Sequence, residues 1–235
     1  MPNKISVCMA TYNGEKYVYE QMSSILKQLG SDDEVIVSDN GSTDQTLQII
    51  ADFKDSRIKV IHFSAKRGPI WNFENALQFA TGDYIFLADQ DDIWEEDRLI
   101  QAVPHLEKNV LTVCNCKIID GDGKIFQKET FFDMKNSGPG LMKNFISNTF
   151  LGCCLGFRKE LLPKILPFPS DIPMHDWWIG LSASRLGDTY FIQKPGISYR
   201  RHGQNASSAS EKSRSSFLDK ILFRFSLLKG LLFRS

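Results

Sequence analysis

The chain has 235 residues, 42% hydrophobic and 24% charged, an ordinary globular composition that excludes bulk disorder. Twenty-eight basic residues balance 28 acidic ones, so the charge gives no support to general nucleic-acid binding. At this length one large domain or two small ones form, able to bury roughly 70–75% of the unfolded surface.

Lys4–Ala10 is a short apolar, β-branched run and predicts a first strand. Tyr17, Met22, Ile25, Leu26 and Leu29 then recur at helical spacing, and Gly30 stops the helix. Glu34–Ser38 predicts a second strand. Ser42 and Gln45 form a capping-box pattern for a helix through Phe53. Arg57–Phe63 is a third strand, Ile70–Ala80 a helix, Tyr84–Leu87 a fourth strand and Glu95–Leu106 a further helix. Strand and helix alternating at this pitch predict a parallel sheet covered on both faces.

After Val110 the rhythm changes. Val110–Ile119 predicts a strand turning through Asp120-Gly-Asp-Gly123 into a hairpin partner at Lys124–Gln127. Phe150–Phe157 predicts a strand, Lys159–Ile165 a short helix and Asp176–Leu186 a longer one stopped by Gly187. Tyr190–Gln193 and Gly196–Arg201 predict a final pair of strands. The second half is therefore mixed, and Ser207–Ser210 is a small polar linker.

The N-terminal apolar run ends after Ala10, too early for a signal peptide, and no stretch approaches the ~18–20 apolar residues of a spanning helix. Five cysteines, in apolar runs and with scattered histidines, predict buried free thiols in a reducing cytosol, not disulfides or zinc.

Polar residues gather where strands end. Thr11-Tyr12-Asn13 ends the first strand, Asp39-Asn40-Gly41-Ser42 the second, and Asp89-Gln90-Asp91-Asp92 follows the fourth. In an open parallel sheet these ends share one edge, where ligands bind. Three carboxylates within four residues repel one another unless a cation or solvent relieves them. Hard divalent cations are held by one or two carboxylates together with phosphate oxygens. The bland alternative is a solvated acidic loop. A calcium EF-hand fails, because Trp94 and Ile100 stand where glycine and glutamate are needed. The dinucleotide fingerprint, the Walker lysine loop and the Gly-x-Ser-x-Gly elbow are all missing.

Thr11-Tyr12-Asn13-Gly14-Glu15, Ser38-Asp39-Asn40-Gly41-Ser42-Thr43-Asp44 and Asp89-Gln90-Asp91-Asp92-x-Trp94, in this order, resemble the family-2 glycosyltransferases. The resemblance runs from about Ile5 to Asn205. The acidic motif and Tyr199-Arg-Arg-His-Gly-Gln-Asn205 resemble the rhamnosyltransferase-like branch. It implies the A-type glycosyltransferase fold, a Rossmann-like, mostly parallel sheet. It implies donor contacts at Thr11, Tyr12, Asn13, Asp39 and Arg67, with Glu15 capping or buttressing the donor loop. Asp89 would lie toward the ribose, and Asp91 would ligate Mn²⁺ or Mg²⁺ on the diphosphate, with His202 approaching the metal. The family's catalytic carboxylate, commonly in a Glu-Asp pair, falls on Asp176 and would act as general base; its neighbour here is His175. Trp177 beside it is either core or an acceptor-stacking surface. The implied reaction is an inverting transfer of a sugar, rhamnose for this branch, from a nucleotide-sugar to a hydroxyl of a glycan or lipid-linked acceptor, in bacterial cell-surface polysaccharide synthesis. A sugar-phosphate nucleotidyltransferase and a non-catalytic nucleotide-sugar or glycan binding module are the rivals.

From Ser215 onward Phe217, Ile221, Phe225, Leu228 and Leu232 share one helical face, and Phe223 and Leu227 interrupt the opposite one. Six basic and two acidic residues from Glu211 onward give a net charge of +4. A basic amphipathic helix of this kind suits an anionic membrane surface; a helix docked on the core or on a second copy is the alternative. We expect a glycosyltransferase domain over 1–206, split into a nucleotide-sugar half (1–107) and an acceptor half (108–206). A linker and tail occupy 207–235. The tail would be removable without loss of fold, and the protein cytoplasmic and peripheral at the inner membrane face.

Overall fold

The computed structural model describes residues 3–202 and 217–233. The Ser207–Ser210 linker, Gly203-Gln204-Asn205 and the charges at Glu211, Lys212, Arg214 and Arg234 lie outside the described residues. The first half runs β1 (Ile5–Thr11), α1 (Val18–Leu26), β2 (Glu34–Asp39), α2 (Thr46–Asp52), β3 (Ile58–His62), α3 (Pro69–Gln78), β4 (Tyr84–Asp89), β5 (Ile93–Trp94) and α4 (Arg98–Leu106). The second runs β6 (Leu111–Ile119), α5 (Phe131–Lys135), α6 (Leu141–Ile146), β7 (Leu155–Arg158), α7 (Leu162–Ile165), α8 (His175–Leu186), β8 (Thr189–Arg200) and α9 (Phe217–Phe233).

Among the described residues these strands make one sheet in the order β3-β2-β1-β4-β7-β6-β8-β5. β1 pairs in parallel with β2 and β4, and β2 with β3. β7 runs antiparallel between β4 and β6, which makes the second half mixed. Helices cover both faces, so β2 is buried along its whole length, with Val35-Ile36-Val37 as its apolar centre. β3 lies at the edge and is only partly buried. This is the A-type glycosyltransferase architecture expected from the sequence. The five cysteines are free and buried, as expected.

Several local expectations are corrected. Ser42 does not cap α2; its hydroxyl donates to Asp39 Oδ1 at 2.5 Å, and the N-cap of α2 is Gln45. Phe150–Phe157 is not one strand, because Gly152–Cys154 forms a 3-10 turn before β7. That turn presses Gly152 onto His175; a Cβ there would meet Nε2 at 2.7 Å. Lys124–Gln127 contributes only an isolated bridge, Ile125 to Ile119. The two final strands are one, β8, with register shifts opposite Asn115. Pro195 has no N–H to give the ladder there, and Asn115 Nδ2 donates to Gln193 O at 3.0 Å beside it. α5 is an element beyond those read from the sequence, and Thr130 and Asp133 open it with a complete capping box.

The tail helix α9 both docks and exposes an apolar face. Leu227 is fully buried and Leu231 nearly so. Gly230 lies against Trp178, where a Cβ would come within 2.8 Å of the ring. Ser226 Oγ donates to Asp171 O at 2.8 Å, and Arg224 bonds Ile146 O. Phe223 and Leu227, which interrupt the polar face in sequence, therefore contact the core. Ile221, Phe225, Leu228 and Leu232, with Leu218 and Leu222, point outward. This packing argues against a tail that detaches without cost. Leu227→Ala is expected to lower stability by ~2–4 kcal/mol in urea unfolding, and Phe225→Ala by less than ~0.5 kcal/mol.

Candidate active site

The loop after β1 is held by short polar side chains. Asn13 takes a left-handed conformation (φ 48°), and its Oδ1 accepts from Thr43 N at 2.8 Å. Asp39, at the end of β2, is fully buried. Its Oδ1 accepts from Thr11 and Ser42 hydroxyls, and its Oδ2 from the N–H groups of Gly41 and Ser42. Both oxygens are thus taken by the protein, and Asp39 acts on the loop geometry. Glu15 Oε2 accepts from Gln45 N at 2.9 Å, which buttresses the same loop. Asn40 Nδ2 donates to Phe63 O and Lys66 O while its Oδ1 accepts from Gly68 N. That fixes the turn carrying Arg67.

The acidic loop joins this edge through Gln90. Its Oε1 accepts from Tyr12 N at 2.9 Å and its Nε2 donates to Tyr12 O at 3.0 Å. Asp89 and Asp91 line the cleft. Asp92 turns inward, fully buried, and accepts from Arg200 N at 2.9 Å. Burial, and then the charges of Asp91 and Asp176, push Asp89 up to about 8. His202 Nε2 lies 2.7 Å from Asp91 Oδ2.

The facing wall is the N-terminal turn of α8. Asp176 lines the same cleft but is 8% exposed. Burial raises it to about 7, against the donors Trp177 N, Asn148 Nδ2 and Gly152 N that draw it down. His175, also in the wall, is held near 3 by burial and is neutral at physiological pH. Its ring stacks on Phe73 with centroids 4.3 Å apart, and neither nitrogen has a hydrogen-bond partner among the described residues.

The cleft between these walls holds about 380 Å³. Of the residues singled out from sequence, Thr11, Tyr12, Arg67, Asp89, Asp91 and Asp176 line it. Asn13, Glu15 and Asp39 stand behind as loop supports, and His202 reaches it through Asp91. Trp177 is core: its Nε1 donates to Asn144 O at 2.7 Å, and it does not line the cleft. Asn72, Leu151 and Met174 line the cleft without any sequence signal. Gln90 and Tyr199 sat inside recognised motifs.

For a hard cation, Asp91 and His202 offer an oxygen and a nitrogen at the cleft edge, a chemically suitable pair. Asp89, Asp92 and Cys153 also bring ligand atoms within 4.8 Å of one another. That set suits Mn²⁺ or Mg²⁺ less well, since the thiol is soft, although Asp92 Oδ2 is buried without a hydrogen-bond partner among the described residues.

Residues 6–166 match the profile of Glycosyl transferase family 2. The dTDP-rhamnosyl transferase RfbG of Shigella flexneri is 29% identical over 226 residues, covering 86% of this chain and 74% of that protein. The Escherichia coli enzyme WfgD is described as a UDP-Glc:α-D-GlcNAc-diphosphoundecaprenol β-1,3-glucosyltransferase. It is 32% identical over 155 residues, 63% of this chain and 61% of that one. Among solved structures, S. aureus TarS 1–349 in complex with UDP-GlcNAc superposes with a TM-score of 0.74 at 22% identity. That match covers 99% of this chain and 67% of the other. The mannosyltransferase PcManGT from Pyrobaculum calidifontis, in complex with GDP-Man and Mn²⁺, gives 0.62 at 21% identity over 86% and 57%. With the family profile spanning well over half its length and the sheet edge shaped as above, this chain is a member of glycosyl transferase family 2.

Proposed function

We propose that the protein transfers a sugar, rhamnose or glucose, from a nucleotide-sugar to a hydroxyl of a glycan or lipid-linked acceptor, with inversion, in cell-surface polysaccharide synthesis. The observation that carries this reading is one cleft with Asp89 and Asp91 on one wall and Asp176 on the other. The relatives support the donor classes, since RfbG is named for dTDP-rhamnosyl transfer and WfgD for UDP-Glc and a lipid diphosphate acceptor. In this reading residues 1–107 bind the donor and 108–206 the acceptor.

Thr11, Tyr12 and Arg67 bind the nucleotide and its phosphates, with Asn13, Glu15 and Asp39 shaping the loop. Asp91 and His202 would hold a divalent cation, and Asp89 lies toward the ribose. When bound, the cation supplies electrostatic stabilisation of the diphosphate leaving group. Asp176 takes the proton of the acceptor hydroxyl as that oxygen attacks the anomeric carbon from the face opposite the diphosphate. Neutral His175 beside it adds no second negative charge to the base. The outward apolar face of α9, with exposed Lys229 at its border, supports peripheral attachment to an anionic membrane at its inner face. No helix among the described residues is long and apolar enough to cross one.

Calorimetry of UDP and dTDP with and without Mn²⁺ is expected to show metal-dependent binding that is lost in Asp91→Ala. Equal affinity after chelation would remove the cation from the reading. Asp176→Asn is expected to leave nucleotide affinity nearly unchanged and slow transfer at least ~10²-fold. A buried carboxyl raised to about 7 is unstable when ionised, so this variant should be no less stable than the parent at pH 8. The base must be deprotonated to act, so the parental rate should rise with pH and level off above about 7. Flotation with anionic vesicles tests the tail; sedimentation as a dimer with no flotation would assign the α9 face to a second copy.

A further inference from the structure

The loop between α6 and the Gly152–Cys154 turn carries an amide with no place in the family motifs. Asn148 Nδ2 donates to Asp176 Oδ1 at 3.3 Å. An amide can usually face either way, but here its other end is occupied: Phe150 N donates to Asn148 Oδ1 at 3.0 Å. The carbonyl end is therefore committed to the backbone, and the NH₂ end must face the carboxylate.

The loop itself is pinned by a buried polar network. Asn144 is fully buried, and its Nδ2 donates to Gly138 O at 2.9 Å and Gly140 O at 3.0 Å. Its Oδ1 accepts from Thr149 Oγ1 at 2.6 Å. Its carbonyl accepts from Trp177 Nε1, the residue next to Asp176. These four hydrogen bonds bracket residue 148 on one side and anchor the neighbour of residue 176 on the other. A satisfied buried network of this kind rigidifies what it holds. Oδ1 of Asp176 also accepts from Trp177 N at 2.5 Å, so that oxygen is fully engaged; Gly152 N gives the carboxylate one further backbone hydrogen bond, and Oδ2 has no side-chain donor among the described residues.

We propose that Asn148 is a positioning residue for the transfer reaction: it locks the Asp176 carboxylate through Oδ1 and leaves Oδ2 to receive the acceptor proton. The proposal rests on the reading of Asp176 as general base. A carboxylate fixed in one rotamer presents its second oxygen without reorganisation when the hydroxyl arrives. The amide also favours the ionised form, which burial opposes. The other titratable or charged groups around Asp176 are Asp89 at the end of β4, Cys154 in the turn and His175 on its own helix. Asp91 and Arg67 line the same cleft, and Arg224 of α9 stacks over Trp177. None of these donates a hydrogen bond to the carboxylate.

Two variants test this. Asn148→Ala removes the donor. Asn148→Asp keeps the oxygen that accepts from Phe150 N, and so keeps the loop, but sets a carboxylate against Asp176. The full chain, labelled with ¹³C at aspartate carboxyls, is titrated by NMR, with Asp176→Asn identifying the signal. In parallel, pH–rate profiles are taken for hydrolysis of UDP-glucose, UDP-N-acetylglucosamine and dTDP-rhamnose, and UDP binding is measured. The Asp176 titration and the acid limb of the profile are expected to move up by roughly 0.5–1 pH unit in Asn148→Ala and by more than ~1 in Asn148→Asp. The rate at pH 7 should fall about 2- to 5-fold and further respectively, with UDP affinity kept. Unmoved titration and limb in Asn148→Asp would overturn the proposal. An active Asp176→Asn would instead overturn the base reading beneath it.

Discussion

The acidic loop depends on one buried cation, Arg200 at the end of β8. Its backbone N–H donates to Asp92 Oδ1, and its Nε donates to Asp91 O at 2.8 Å. One terminal nitrogen reaches Gly121 O at 3.2 Å, the other Glu20 Oε2 at 2.5 Å, and the guanidinium lies 4.7 Å from the Tyr17 ring centroid. A single side chain thus ties α1, the acidic loop, the turn after β6 and β8 together. Only arginine offers enough donors in a rigid fork to satisfy that many acceptors while always charged. Two residues further along, His202 comes to lie against Asp91.

The same constraint explains how three neighbouring aspartates coexist. Asp92 is drawn into the core by the Arg200 backbone, where burial and then the charges of Asp91 and Asp89 push its carboxyl well up and favour its neutral form. Asp89 is raised by the same means. Asp91, beside His202, faces the cleft. Repulsion within the motif is relieved by turning Asp92 inward, away from Asp89 and Asp91 on the cleft wall, and by favouring the neutral form of Asp89 and Asp92.

The opposite wall has a different logic. α8 is nearly all buried, including its polar first turn, and so shows little amphipathic pattern. It is clamped by Trp178, whose Nε1 donates to Ile165 O at 3.0 Å, and by Trp177 on Asn144. α9 closes over both tryptophans through Gly230 and Arg224. The helix that turns an apolar face outward is therefore also the one that braces the helix bearing Asp176.

By itself the sequence determined the alternating first half, the convergence of Thr11, Asp89 and Asp91 on one sheet edge, and the family. These features are written in contiguous segments whose period and order are readable. Asp176 was legible only through the family resemblance, because one carboxylate at a helix start is otherwise indistinguishable from a residue favoured by the helix dipole. What the tertiary structure alone decided lies between distant segments. Asp39 is consumed by its own loop, Trp177 faces Asn144 and not the cleft, and Phe223 and Leu227 of α9 pack inward. Asn72, Leu151 and Met174 enter the wall without any motif. Each outcome depends on which partner sits opposite a side chain, and hydrogen-bond satisfaction and packing across the fold, not local spacing, select that partner.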